Sequence, residues 1–228
     1  MKIKLLGSIL IILGGTMVYS QTIVRPNFGM KNHETLDIDS IKTEGKTSRI
    51  YLVIENKSLD GYFCADSNIF VILPQNKRLE LISSEGIPVC PDSYHFKIFG
   101  EKLRFSLVFP AIPSNLKWID LIEECDYPCF SFNTIILDNG LNQRIDNAYN
   151  LMNKAKNSES ITAFEEIIED IKAEKLPIEG NMLMNLIFLN LRIGNREKAK
   201  EYYEILKNLN TTDSTRYLEI LKSSGIDF

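Results

Sequence analysis

The chain is 228 residues long, 44% hydrophobic and 25% charged, with a formal net charge of −4. Such a composition belongs to a globular protein able to bury a core, in one large domain or two small ones. The acidic balance and the lack of a dense Lys/Arg cluster argue against nucleic acid as a partner and against bulk attraction to anionic lipid.

Lys2 and Lys4 precede an apolar run from Leu5 to Val18, which ends before Gln21. The pattern predicts a signal peptide over residues 1–20 with cleavage after Ser20, and so export to the periplasm, the cell surface or the medium. The run is shorter than the roughly 20 apolar residues of a membrane span, and no later stretch is long enough to predict one after cleavage. Four cysteines, Cys64, Cys90, Cys125 and Cys129, suit an oxidising compartment. Three pairings are open to them. The turn-forming Asp126-Tyr127-Pro128 favours Cys125–Cys129, which leaves Cys64–Cys90, with buried free thiols as the alternative.

Residues 21–138 read as strands. Pro26 sets an extended lead-in over 21–28, and residues 35–43 and 46–56 alternate on either side of Gly45. Leu59-Asp60-Gly61 is a turn, and residues 68–73 and 78–82 form a hairpin across Pro74-Gln75-Asn76. Gly86, Pro88 and Pro91 make residues 84–94 a loop. Two apolar runs, 103–109 and 116–122, joined through Pro110 and Pro113, read as neighbouring strands, with Trp118 as the largest core side chain. Residues 130–137 supply a last strand. Seven or eight short strands at this spacing predict an antiparallel β-sandwich of about immunoglobulin size, the β part of an α+β chain.

The segments Leu81-Ile-Ser-Ser-Glu-Gly-Ile-Pro88, Gly100-Glu-Lys, Leu107-Val-Phe-Pro-Ala-Ile-Pro113 and Trp118-Ile-Asp-Leu-Ile-Glu123 resemble an exported, immunoglobulin-like β-sandwich module of Gram-negative bacteria over residues 34–137. In such chains the module precedes a thioredoxin-like or a helical domain. The first is excluded because the chain has no Cys-x-x-Cys. The matching residues are core and turn positions, so the resemblance implies a fold and no chemistry.

After Asp138-Asn139-Gly140 the apolar period lengthens from two to between three and four, which predicts a bundle of four to five helices over residues 141–228. Leu141, Ile145, Ala148, Tyr149, Met152 and Ala155 mark the first helix face, and Ile161, Phe164, Ile168 and Ile171 the second. Pro177 separates these from a third helix over 181–193, apolar almost all round. Gly194 ends it, Asn195 caps a fourth, and a fifth runs from about 213 to 222. Residues 180–210 resemble a tetratricopeptide repeat: Leu183, Leu186, Gly194, Ala199, Tyr202 and Tyr203 match its slots, while Ile187, Asn190, Leu206 and Thr211 depart from it. The resemblance implies a concave surface for a protein or peptide, with Asn190, Tyr202 and Tyr203 as candidate partner-binding residues. So short an array needs the sandwich or a partner for support.

Catalytic signatures are missing. His33 and His95 stand far apart, and Cys90-x4-His95 has no second pair to complete a metal site, so neither a metal nor a cofactor is expected. No nucleophile elbow or phosphate loop occurs. Glu165, Glu166, Glu169 and Asp170 read as a solvated helix face. Asp39-Ser40-Ile41 and Asp213-Ser214-Thr215 are compatible with periplasmic O-glycosylation. The expected function is that of an exported, non-enzymatic interaction or scaffold protein; the alternative is a periplasmic hydrolase using Asp120, Glu123 or Asp126 near the junction of the two halves.

Overall fold

The computed structural model describes residues 20–126, 129–209 and 212–228. The predicted signal peptide up to Tyr19, Tyr127 and Pro128 of the predicted turn, and Thr211 lie outside the described residues.

In chain order the strands are β1 (Gln21–Val24), β2 (Phe28–Lys31), β3 (Leu36–Glu44), β4 (Thr47–Glu55), β5 (Tyr62–Phe63), β6 (Ile69–Leu73), β7 (Lys77–Glu80), β8 (Ser83–Glu85), β9 (Tyr94–His95), β10 (Lys102–Pro110), β11 (Trp118–Glu123) and β12 (Ser131–Ile136). They form two antiparallel five-stranded sheets, ordered β1-β3-β4-β10-β8 and β2-β12-β11-β6-β7, and a small β5-β9 ribbon. Alternation decides what lies between the sheets. Ile50, Leu52 and Ile54 of β4 meet Ile119 and Leu121 of β11 in one core with Phe105, Leu107 and Phe109 of β10. The strands beyond the seven or eight expected are short pieces, such as β8 and β9, which overlap the two ends of the loop expected at 84–94.

The central pair departs from expectation. β10 bonds to β4 and β8, whereas β11 bonds to β12 and β6, so the two runs sit in facing sheets. The linking segment is too long for a tight hairpin, and it is fixed as a crossover: Ala111 N–H donates to Lys46 O, Ile112 N–H to Ser48 Oγ, and the Ile112 side chain is buried in the core. Trp118 also departs, since it points out of the sandwich and packs half-buried against the helices.

A bulge makes that outer face. Between β11 and β12 the register shifts, leaving Asp120 opposite an extra residue, and Thr134 takes φ +54°. Asp120 Oδ1 accepts the Thr134 N–H at 2.6 Å, supplying the partner the ladder cannot. The kink sends Ile135 into the sandwich core and its neighbour Ile136 out to the helices. β2 follows suit: Phe28 packs on the sandwich core, while Met30 joins the helical one.

The helices are α1 (Asn139–Asn153), α2 (Asn157–Glu174), α3 (Glu179–Arg192), α4 (Arg196–Asn208) and α5 (Thr212–Ser223). Asp138 caps α1 through Gly140 N and Leu141 N, and Asn195 caps α4 through Lys198 N. Ala155, expected on the first helix face, lies past the end of α1 at φ +56° and is exposed. Their apolar faces share one cluster that includes Phe164, Ile168, Leu183, Leu186, Ala199 and Tyr217.

The two halves meet along a polar seam inside this apolar contact. The Gly29 carbonyl on β2 accepts the Tyr217 hydroxyl of α5 at 2.6 Å and Asn181 Nδ2 of α3 at 3.2 Å. Asn181 is oriented by the Tyr149 hydroxyl, which donates to its Oδ1 at 2.8 Å. Further along, Asn142 Oδ1 accepts the Asn27 N–H at 2.8 Å while Asn142 Nδ2 donates to Ile136 O at 3.0 Å. All these groups are wholly or largely shut off from water, so losing a partner leaves the other unsatisfied.

Gly180 sets the position of Tyr217: a Cβ at Gly180 would lie 2.8 Å from the Tyr217 ring. In an open helix, Gly→Ala stabilises by about 1 kcal/mol. Here the ring is buried and its hydroxyl is held by Gly29, so it cannot retreat. Gly180→Ala is therefore expected to lower the melting temperature, and Tyr217→Phe to cost about 1–2 kcal/mol by leaving the Gly29 carbonyl underbonded. Thermal melts check both; a stabilised Gly180→Ala would contradict the tight approach.

Candidate functional site

A groove of about 440 Å³ lies between α2, α3 and α4. Its floor is apolar: Ile168, Leu183 and Leu186 are buried beneath it, and the exposed side chain of Ile205 on α4 flanks it. Helical spacing puts Glu165, Glu166, Glu169 and Lys172 of α2 along one rim, with Lys198 and Tyr202 of α4 across from them. Most of these charges are engaged. Lys172 pairs with Glu179, Lys198 with Glu201, and the Tyr202 hydroxyl donates to Glu165. Burial and Glu165 together raise the Tyr202 phenol above its ordinary 10.0, so it remains a donor. Glu166 and Glu169 are left over, with no hydrogen bond or ion pair to either carboxylate among the described residues. By sequence alone they are an ordinary solvated face. The signal that they flank a groove is their one-turn spacing beside Ile168, on a helix whose partners α3 and α4 carry apolar side chains toward it.

Of the three candidate partner-binding residues, only Tyr202 lines the groove. Asn190 is buried, and its Nδ2 donates to Leu186 O at 2.8 Å inside α3. Tyr203 is also buried; its hydroxyl donates to Asp227 at 3.0 Å and its ring packs 5.3 Å from that of Phe228, which ties down the C-terminal residues.

Two of the three acidic candidates, Asp120 and Glu123, carry structural duties. Asp120 plugs the bulge. Glu123 is buried, with Oε1 accepting Asp66 N–H at 2.8 Å and Oε2 accepting Phe130 N–H at 3.0 Å. Asp126 is exposed in the disulfide loop. Burial raises both the Asp120 and Glu123 carboxyls above their ordinary values, and Asp213 on α5 adds to the shift at Asp120. A cleft of about 270 Å³ beside the junction holds Asp138, Asp170 and Glu174, which pair with Lys117 or Arg144.

The cysteines pair as favoured, Cys64 with Cys90 and Cys125 with Cys129, at Cα separations of 5.3 and 5.5 Å. The first ties β5 to the strap before β9, next to the Ala65–Val89 bridge, and the second closes the β11–β12 turn. Cys90 is thereby unable to act with His95 as a metal ligand. His33 lies edge-on to Phe63, its pKa lowered by burial and by Lys31. Ser40 and Ser214, the candidate glycosylation serines, are buried and offer no surface for a sugar as folded.

Comparison with protein-family models, with curated proteins and with solved structures gives no significant match to this chain.

The structural duty of Asp120 has a pH signature. An acid whose folded pKa is raised destabilises the fold when ionised; the penalty is complete above the raised value and gone below the ordinary value, 3.8 here. Asp120→Asn keeps an oxygen for the Thr134 N–H and removes the charge facing Asp213. It is expected to raise the melting temperature at pH 7, with the advantage shrinking as the pH falls towards 4. A loss of stability at pH 7 would show that the ionised carboxylate is needed.

Proposed function

We propose that this chain is an exported, non-enzymatic binding protein that holds a peptide segment of a partner protein in the groove between α2, α3 and α4. The observation that carries the reading is the pairing of an apolar floor with two carboxylates, Glu166 and Glu169, that have no hydrogen bond or ion pair among the described residues. Such a site suits a segment that sets an apolar side chain over Leu183 and Leu186 and lays a Lys or Arg along the acidic rim. The tetratricopeptide-like succession of α3 and α4, with Gly194 at φ +79° between them and Ala199 buried, supports the same use of the surface. Two disulfides and the N-terminal sequence pattern support export. The sandwich braces a helical array too short to stand alone.

Hydrolysis near the junction has weaker support. Asp120 and Glu123 are committed to backbone N–H groups, and the acids of the neighbouring cleft are paired with cations.

Selection of random peptides displayed on phage against the immobilised chain tests the reading. Peptides joining Lys or Arg to an apolar residue are expected, with affinity falling at least tenfold in the variant carrying both Glu166→Arg and Glu169→Arg and no change in its melting temperature. Selected peptides without basic residues, or unchanged affinity in the variant, would contradict it.

A further inference from the structure

A second surface lies at one end of the sandwich, on the loops joining β4 to β5 and β9 to β10. The two loops run side by side and are fastened by Asn56, which is buried at their base. The Asn56 N–H donates to Glu101 O at 2.8 Å, its carbonyl accepts the Gly100 N–H at 2.8 Å, and its Nδ2 donates to Ser58 O at 2.9 Å and to Ile98 O at 2.8 Å. Phe96 N–H closes the arrangement on Gly61 O at 2.9 Å. From this braced base four large apolar side chains stand in water: Leu59 is 86% exposed, Tyr62 65%, Ile98 66% and Phe99 61%. Single exposed apolar residues are ordinary, but Leu59, Ile98 and Phe99 on adjacent, hydrogen-bonded loops, with Tyr62 at the start of β5 beside them, form a patch of the kind that meets a partner.

We infer that this end of the sandwich inserts into the interfacial layer of a lipid bilayer. Shape favours lipid over protein. The four side chains protrude, so a protein would need a hollow cut to match each of them, whereas a bilayer interface admits protruding groups in any arrangement. Composition agrees: two aromatic and two aliphatic tips sit beside lysines, the mixture that settles at the headgroup level. The Lys57 ammonium lies 5.7 Å from the centroid of the Phe99 ring, and Lys97 is exposed between the loops with no ion pair among the described residues. Charge does not oppose the approach. Lys57, Lys97 and Lys102 stand among Glu55, Asp60 and Glu101, with Glu34 on the neighbouring loop, so this end carries no large excess of either sign. Attachment is then driven by apolar burial and should resist salt. The inference does not rest on the groove.

Flotation of the mature chain, beginning at Gln21, with vesicles of phosphatidylethanolamine and phosphatidylglycerol tests it. The wild type is expected to float with the vesicles in low and high salt. The variant carrying Leu59→Asp and Phe99→Asp should lose at least tenfold in bound fraction with an unchanged melting temperature, since both side chains are exposed. Leu59→Trp should shift its emission to the blue on binding and be quenched by brominated lipid. A wild type that stays with the soluble fraction overturns the inference and assigns the tips to a protein contact. Binding that survives the double variant, or that vanishes in high salt, overturns it as well.

Discussion

The carbonyl oxygen of Gly29 holds the two halves of this protein in register. It lies on the edge strand of a sheet, where a carbonyl without a strand partner would need water. Instead it accepts hydrogen bonds from Tyr217 and Asn181, two side chains from different helices. Each of those side chains is itself constrained, Tyr217 by the missing Cβ of Gly180 and Asn181 by the Tyr149 hydroxyl. One acceptor therefore fixes α3 and α5 against the sandwich. Apolar contact supplies most of the attraction between the halves, but it is tolerant of sliding; the directional bonds select one position.

The bulge at Asp120 makes this arrangement available. In a regular β12, Phe132, Thr134 and Ile136 would share the sandwich face and Ile135 would point to the helices. The extra residue of the bulge lets Phe132 and Ile135 both face the sandwich core and turns Ile136 to the helices, so one strand feeds two cores. The cost is an unpaired N–H, met by the Asp120 carboxylate. That carboxylate then faces Asp213 across the junction, a tension that follows from using a charged acceptor. The groove between α2, α3 and α4 sits on helices held by this seam, so its width depends on contacts remote from it.

Much of the fold was legible in the sequence, for physical reasons that also mark where reading stopped. Alternation in β3 and β4 and the longer period from Leu141 onward report which face is buried, and both halves follow from it. Alternation says nothing about which strand lies alongside, and so β10 and β11 looked like neighbours when they face each other across the core. Trp118 was read as core because of its size, but it sits on the outer face and packs on helices the β pattern could not foresee. Asp120 is a candidate acid in the sequence only as one of three carboxylates expected near the junction; it completes a bulge, which depends on a backbone angle at Thr134 that residue type does not announce. The seam left one faint mark. Asn181 and Asn185, one turn apart on a helix that is mostly apolar, indicate amides that must find partners, and both join the Tyr149 hydroxyl. Likewise the repeat slots of Tyr202 and Tyr203 do not tell the two apart, yet only Tyr202 lines the groove, while Asn190, which departs from the repeat pattern, is spent inside its own helix.

Trp118 is the only tryptophan and lies on the seam, which makes it a built-in reporter of docking. The most direct test of the account is urea unfolding followed at once by Trp118 fluorescence and by the helical signal in far-ultraviolet circular dichroism. If the seam joins the halves into one cooperative unit, the two transitions coincide in midpoint and slope. A helical signal that persists after Trp118 has become exposed would mean that the helices stand without the sandwich, and would contradict the account.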